Sequence, residues 1–368
     1  MQLRTLAILF SLLSAPAWAL DFGAVGDSLT DEYLGVGRPT SVVDGITDLA
    51  AKNWVQILAE TRGSYLNFGS LEMDDSVRGE PRNRGYAYNW ARAGATATVP
   101  GLLGTLSGGA LPDYTPLAAQ VQGLLPAVQS GVSTVFAGIG SNDFLVRNGI
   151  FGVVAAQPLS GPDYDAWEAH LIDSILTPLD TLHAAGAGHI LVGLIPGTAD
   201  SSENGNPELS NAIAHANGLL AAAATARGYT VVDWFNWSSH LTANGDLVVG
   251  GLTISRDAAT PDELVAAGTP GAGPCNSEGM CASAEHATHA IAEDGIHPNT
   301  IAQGLMANQI LQALNESTGS AIPLLSDKEL LQLAGLPVAD VPLPAGAWLF
   351  GSAVLAAAAR RRALRSCQ

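Results

Sequence analysis

Positive charge is scarce in this chain, with 16 basic residues against 34 acidic ones for a net charge of −18. Removing Arg4, Arg360, Arg361, Arg362 and Arg365 at the two ends would leave 11 against 34, or −23. A surface of that sign excludes the phosphate backbone of a nucleic acid as a partner. Cysteine is scarcer still, at three residues, so a four-thiolate metal site is excluded within one chain. There is no His-Glu-x-x-His run, although Glu285, His286 and His289 lie close together, and no internal repeat. Charged residues make up only 14% of the chain and hydrophobic ones 47%. Such a composition argues against disorder and is ample for the core of one large domain.

Both ends carry signals of their own. Residues 1–19 have Arg4, an apolar stretch over 6–13 and Ala17-Trp18-Ala19 as a small-x-small cleavage site. This pattern predicts a signal peptide, export, and a mature chain starting near Leu20. An exported chain meets an oxidising compartment, which makes Cys275 and Cys281 candidates for a disulfide. At the other end Val341-Pro-Leu-Pro-Ala345 leads into an apolar stretch over 345–359 that is stopped by Arg360-Arg361-Arg362. By physics alone that is a short hydrophobic helix with its arginines on the cytoplasmic side.

Between the ends, apolar β-rich runs alternate with helical patterns, which predicts a central parallel sheet covered on both faces. Strands are expected at 22–26, 87–91, 134–138, 190–195 and 230–234. Helices are expected at 53–60, 117–128, 164–184, 208–227 and 300–314. Two insertions break the alternation, at 62–86 and at 236–292, the second with an expected hairpin around Asn244-Gly245. Long insertions in a compact domain are commonly functional, so both are expected to flank a site beyond the carboxyl ends of the strands. The organisation read from this is a signal peptide at 1–19, one domain at 20–317, a linker at 318–340 and a tail at 341–368.

Four blocks carry the chemistry. Gly26-Asp27-Ser28 ends the first apolar strand in a turn, Asn89-Trp-Ala-Arg-Ala-Gly94 supplies a glycine turn, and Gly140-Ser-Asn142-Asp143 follows another strand. Asp294-Gly-Ile-His297 places an acid three residues before an imidazole. A serine hydroxyl is a weak nucleophile until a base, an orienting carboxylate and oxyanion donors surround it. The order and placing of these blocks resemble the GDSL/SGNH family of serine hydrolases. The usual α/β-hydrolase elbow, Gly-x-Ser-x-Gly, is absent because position 30 is threonine.

The resemblance implies a flavodoxin-like three-layer α/β/α sandwich and hydrolysis of carboxylic esters without a cofactor. It implies Ser28 as nucleophile, His297 as base and Asp294 as its orienter, with an oxyanion hole from the Ser28 and Gly94 backbone N–H groups and the Asn142 amide. Asp27 and Asp143 are expected to hold loops rather than move protons. Trp234, Phe235 and Trp237 are expected to pack the core edge, with an acyl or sugar pocket as the alternative, while the arginines at 78, 82, 84 and 92 are read as exposed loop charges, with an anionic substrate group as the alternative.

The tail resembles the PEP-CTERM group of bacterial sorting signals, in its Val-Pro-Leu-Pro-Ala variant. That implies membrane contact before processing, an exosortase-type protease as partner, and a periplasmic, cell-surface or extracellular location in a bacterium. A retained anchor is the alternative for the tail. Substrates in view are lipid esters or O-acyl groups on extracellular polysaccharide, with thioesters and peptides open as well. A non-catalytic surface or matrix carbohydrate-binding protein on the same fold is the competing function.

Overall fold

The computed structural model describes residues 19–33, 51–72, 85–99, 116–149, 155–197, 206–236, 246–258, 288–291, 297–336 and 338. The chain divides into a unit Met1–Leu336 and a unit Pro337–Gln368, of which only Val338 is described.

A five-stranded sheet organises the first unit. Its strands are β1 (Leu20–Gly26), β2 (Leu66–Asn67), β5 (Thr134–Gly138), β6 (His189–Gly193) and β7 (Thr230–Val232), in the order β2-β1-β5-β6-β7 with every pair parallel. Counting these strands alone the order is 2-1-3-4-5, the flavodoxin-like winding. β3 (Leu71–Glu72) and β4 (Gly85–Tyr86) form a short antiparallel pair outside it. The expected strand at 87–91 is not a strand. Tyr88 O accepts from Ala24 N, and Trp90 N and Arg92 N donate to Ala24 O and Gly26 O. The segment thus covers the β1 edge beyond β2, where its glycine turn interrupts any ladder.

Strand side chains alternate between the two faces. Val25, Val135, Ala137, Ile190 and Val192 pack on one core cluster with α2 (Leu117–Gln129), α4 (Pro162–Ala185) and α5 (Pro207–Ala226). Phe22 and Phe136 point the other way, where Phe22 meets Trp54 of α1 (Trp54–Arg62) at 6.2 Å between ring centroids. Phe136 stacks at 5.1 Å from Trp54 and 4.7 Å from Trp234. Trp234 is therefore core, as expected, and Trp237 lies outside the described residues. α6 (Thr300–Thr318) packs against α1, β6 and β7 and completes this second layer. A short α3 (Ser141–Arg147) follows β5 directly.

The expected hairpin in the second insertion has its turn elsewhere. β8 (Leu247–Val249) pairs antiparallel with β9 (Leu252–Ala258) across Gly250-Gly251, whose φ values of 57° and 84° suit a tight two-residue turn. Asn244-Gly245 lies outside the described residues. β10 (His289–Ile291) pairs parallel with β9.

The stretch expected as a linker also differs. Residues 319–336 fold back, with Ile322, Leu325, Leu330 and Leu331 buried and α7 (Asp327–Leu333) held by a capping box of Ser326 and Glu329. Arg62, at the end of α1, donates to the Pro323 and Leu324 carbonyls and to the Glu329 carboxylate. Among the described residues no helix is long and apolar enough to cross a membrane.

Candidate active site

Gly26 closes β1 and sits where no side chain fits, since a Cβ there would lie 2.3 Å from the Gly138 carbonyl oxygen. This close approach of β1 to β5 sets the turn that follows. Asp27 N donates to Gly138 O at 3.2 Å, and Thr30 N and Asp31 N both return to Asp27 O. Gln120 of α2 clamps the same point from below, accepting from Gly26 N at 2.7 Å and donating to Gly26 O at 2.8 Å. Ser28 is thereby carried past the carboxyl end of the central strands.

His297 arrives from the opposite end of the chain. Its Nε2 lies 2.7 Å from Ser28 Oγ. For the serine O–H to donate into that nitrogen, the ring proton must sit on Nδ1. Pro298 and Asn299 follow at once, and the Asn299 side chain accepts from Thr300 N to start α6. The imidazole is thus mounted at a helix entrance. Asp294 lies outside the described residues.

The second and third blocks meet each other and the first. Gly94 adopts a φ of 75°, a left-handed turn that favours glycine, and Ala93 N beside it donates to Asp31 Oδ2 at 2.7 Å. Asn142, in the first turn of α3, donates through Nδ2 to Ala95 O at 2.8 Å. A primary amide has two N–H groups, so one remains for another acceptor. Its neighbour Asp143 accepts from Ala97 N, Thr98 N and Thr98 Oγ1. Asp143 therefore fixes the loop after Gly94, and Asp27 accepts from Leu29 N at 3.0 Å to fix the loop around Ser28. Both carboxylates hold backbone, the role expected of them.

Burial shapes the electrostatics of these two acids. Asp27 is pushed up to about 7, first by desolvation and further by Asp143, while the Leu29 N–H and His297 pull it down. Asp143 is pushed up to about 6 by desolvation against its hydrogen bonds to Thr98 and Ala97. Two acids that are costly to ionise thus lie under the serine turn.

Sequence reasoning missed several supports. Gln120 had a readable signal, since it falls three residues after Leu117 and four before Leu124 on the apolar stripe of a helix. Asp31 and Glu32 carried none, because a polar residue next to a turn reads as solvated, and nothing in the local pattern of Asn53 or Asn89 showed that their side chains reach the serine turn. In fact all four are buried, with Asn53 and Asn89 both donating to Thr30 O. Cys275, Cys281, His286 and the arginines at 78, 82 and 84 lie outside the described residues. Among the described residues no group of three His, Cys, Asp or Glu could hold a metal ion.

Comparison with known proteins places this arrangement. The family model for GDSL-like lipase/acylhydrolase matches residues 22–310. The chain belongs to that family. It is accordingly a serine ester hydrolase. No curated protein matches it. Among solved structures it is similar to a G-D-S-L family lipolytic protein from Veillonella parvula, at 15% identity and a TM-score of 0.35, over 80% of this chain and 97% of that one. An acetyl xylan esterase from Geobacillus stearothermophilus matches at 12% identity and 0.38, over 81% and 95%. A lipase from a goat rumen metagenome matches at 12% and 0.42, over 80% and 97%.

Proposed function

We propose that the chain is an exported esterase that works through an acyl-enzyme on Ser28. The observation that carries this is the 2.7 Å contact between His297 Nε2 and Ser28 Oγ. At that distance the imidazole takes the hydroxyl proton as Oγ attacks the ester carbonyl. The carbonyl oxygen becomes an oxyanion, received by the Ser28 and Gly94 backbone N–H groups and the second N–H of Asn142. Collapse breaks the bond to the alcohol, which leaves with the proton from the imidazolium. Water then enters by the same base and releases the acid. Asp294, three residues before His297, is assigned to hold the Nδ1 proton. A non-catalytic surface protein has no need to keep that serine and histidine in hydrogen-bond contact.

Export is part of the same reading. β1 begins at Leu20, whose backbone N donates to Tyr65 O at 2.8 Å, so cleavage after Ala19 leaves the sheet intact. The Val-Pro-Leu-Pro-Ala tail is read as a sorting signal that contacts the membrane until an exosortase-type protease removes it. With that tail, O-acyl groups on extracellular polysaccharide are favoured over lipid esters as the substrate.

The test is hydrolysis of p-nitrophenyl esters from acetate to palmitate by the mature chain, beside Ser28→Ala. Short-chain turnover that vanishes in Ser28→Ala supports the reading. A palmitate optimum replaces the polysaccharide substrate by a lipid, and turnover surviving in Ser28→Ala removes the acyl-enzyme.

A further inference from the structure

Tyr33 lies five residues after Ser28 and is 2% exposed. Its ring stands perpendicular to the His297 ring, with centroids 6.3 Å apart. Its hydroxyl reaches the carbonyl oxygen of Pro298, the residue after His297, at 3.3 Å. That hydroxyl is itself oriented, because Gln303 Nε2 donates to it at 2.7 Å. Gln303 is fully buried and its Oε1 accepts from Trp54 N at 3.2 Å. The direction of this chain is fixed at every step, from the Trp54 N–H to the Gln303 carbonyl oxygen, then from the Gln303 amide to the tyrosine oxygen and on to Pro298 O. Proline has no N–H, so its carbonyl is the one backbone polar group through which position 298 can be held by hydrogen bonding.

We infer that Tyr33, held by Gln303, is a positioning residue that fixes the His297 backbone and ring over Ser28. The inference rests on the proposed Ser28–His297 chemistry. It adds a connection that the four blocks do not contain, between the turn carrying the serine and the loop carrying the base. Orientation of this kind matters because a displacement of about 1 Å in a reacting group can cost on the order of a hundredfold in rate. The phenol bonds the residue after His297 and the amide bonds the phenol, so their loss is read in turnover rather than in substrate binding.

The experiment compares Tyr33→Phe, Gln303→Met and the double variant on p-nitrophenyl butyrate, with kcat expressed per site titrated by a fluorophosphonate. Each single variant is expected to lose about tenfold in kcat per titrated site with KM changed less than about twofold. The double variant is expected to be no worse than the poorer single one, because both act through one chain of hydrogen bonds. A residue that only stabilises the fold would lower the number of titrated sites and leave kcat per site unchanged, which would overturn the proposal. Additive losses in the double variant would also overturn it. Ser28→Ala run beside them separates the two levels: if it still turns over, both readings fall, whereas a dead Ser28→Ala with full turnover in Tyr33→Phe removes only the positioning role.

Discussion

Asn142 gives one amide N–H to Ala95 O, and that bond points the side chain toward the loop of Gly94. If its second N–H receives the oxyanion, Asn142→Ala should lower kcat by roughly 100 to 1,000-fold with a small effect on KM, as removal of a single oxyanion donor does. Steady-state kinetics on a short-chain ester check this. Asp27 makes a different prediction, in stability. Its folded-state value of about 7 lies above the ordinary 3.8, so the folded chain holds its proton more tightly than the unfolded one. Stability from this group is fully present below about 3.8 and is lost as pH rises through 7. Asn at this position keeps an acceptor for Leu29 N and never ionises. In thermal unfolding, the stability of Asp27→Asn should therefore gain on the parent as pH rises from 5 to 7 and level off by pH 8, by on the order of 1 to 3 kcal/mol. A constant difference across that range would mean that Asp27 ionises as readily in the folded chain as in the unfolded one.

Elements were legible where periodicity had no competitor. The residues of β5 are all buried and read as a continuous apolar run, and α1 announces itself by Asn53, which caps it in a box with Gln56. The blocks around Ser28, Gly94, Asn142 and His297 were legible because each combines a turn residue with a polar one at a strand or helix end. What could not be read was pairing over distance. The segment after β4 looks like a strand locally, yet hydrogen bonds reach only from Tyr88, Trp90 and Arg92 to β1 before the chain turns at Gly94. The segment after α6 looks like a tether because glycine, proline and polar residues break up its leucines, and what folds it is pairing over distance, with Arg62 bonding Glu329 and with Asn308 and Asn315 of α6 bonding Leu325 and Ile322. The Arg62 pairing pulls Glu329 down to about 2, so the attraction operates above the ordinary carboxylate value and fades as pH falls toward 2. Arg62→Met should leave the Thr61, Pro323 and Leu324 carbonyls and the Glu329 carboxylate without their donor and lower stability by about 2 kcal/mol at pH 7. Denaturant titration should find that loss shrinking below about pH 4.5, with kcat per folded molecule unchanged.

At the scale of the whole molecule, the unit Met1–Leu336 contains Ser28, Gly94, Asn142, His297 and the segment that folds back after α6. That makes the point of truncation decisive. A chain of residues 20–336 keeps Ile322, Leu325, Leu330 and Leu331 in place, and Gly304 of α6 has no Cβ where one would lie 2.3 Å from a Leu330 methyl carbon. A chain ending at 318 loses all four side chains and the partners of Arg62. Burial of four such residues contributes about 1.5 to 3 kcal/mol each, against a net stability of about 5 to 15 kcal/mol for a whole domain. The shorter chain should therefore unfold or aggregate at ambient temperature, while residues 20–336 should match residues 20–368 in thermal midpoint and in kcat. Equal stability of the two truncations would make the folded-back segment dispensable. A loss of turnover in residues 20–336 would instead give the tail a part in the esterase, where the sorting reading assigns it only a part in delivery to the cell surface.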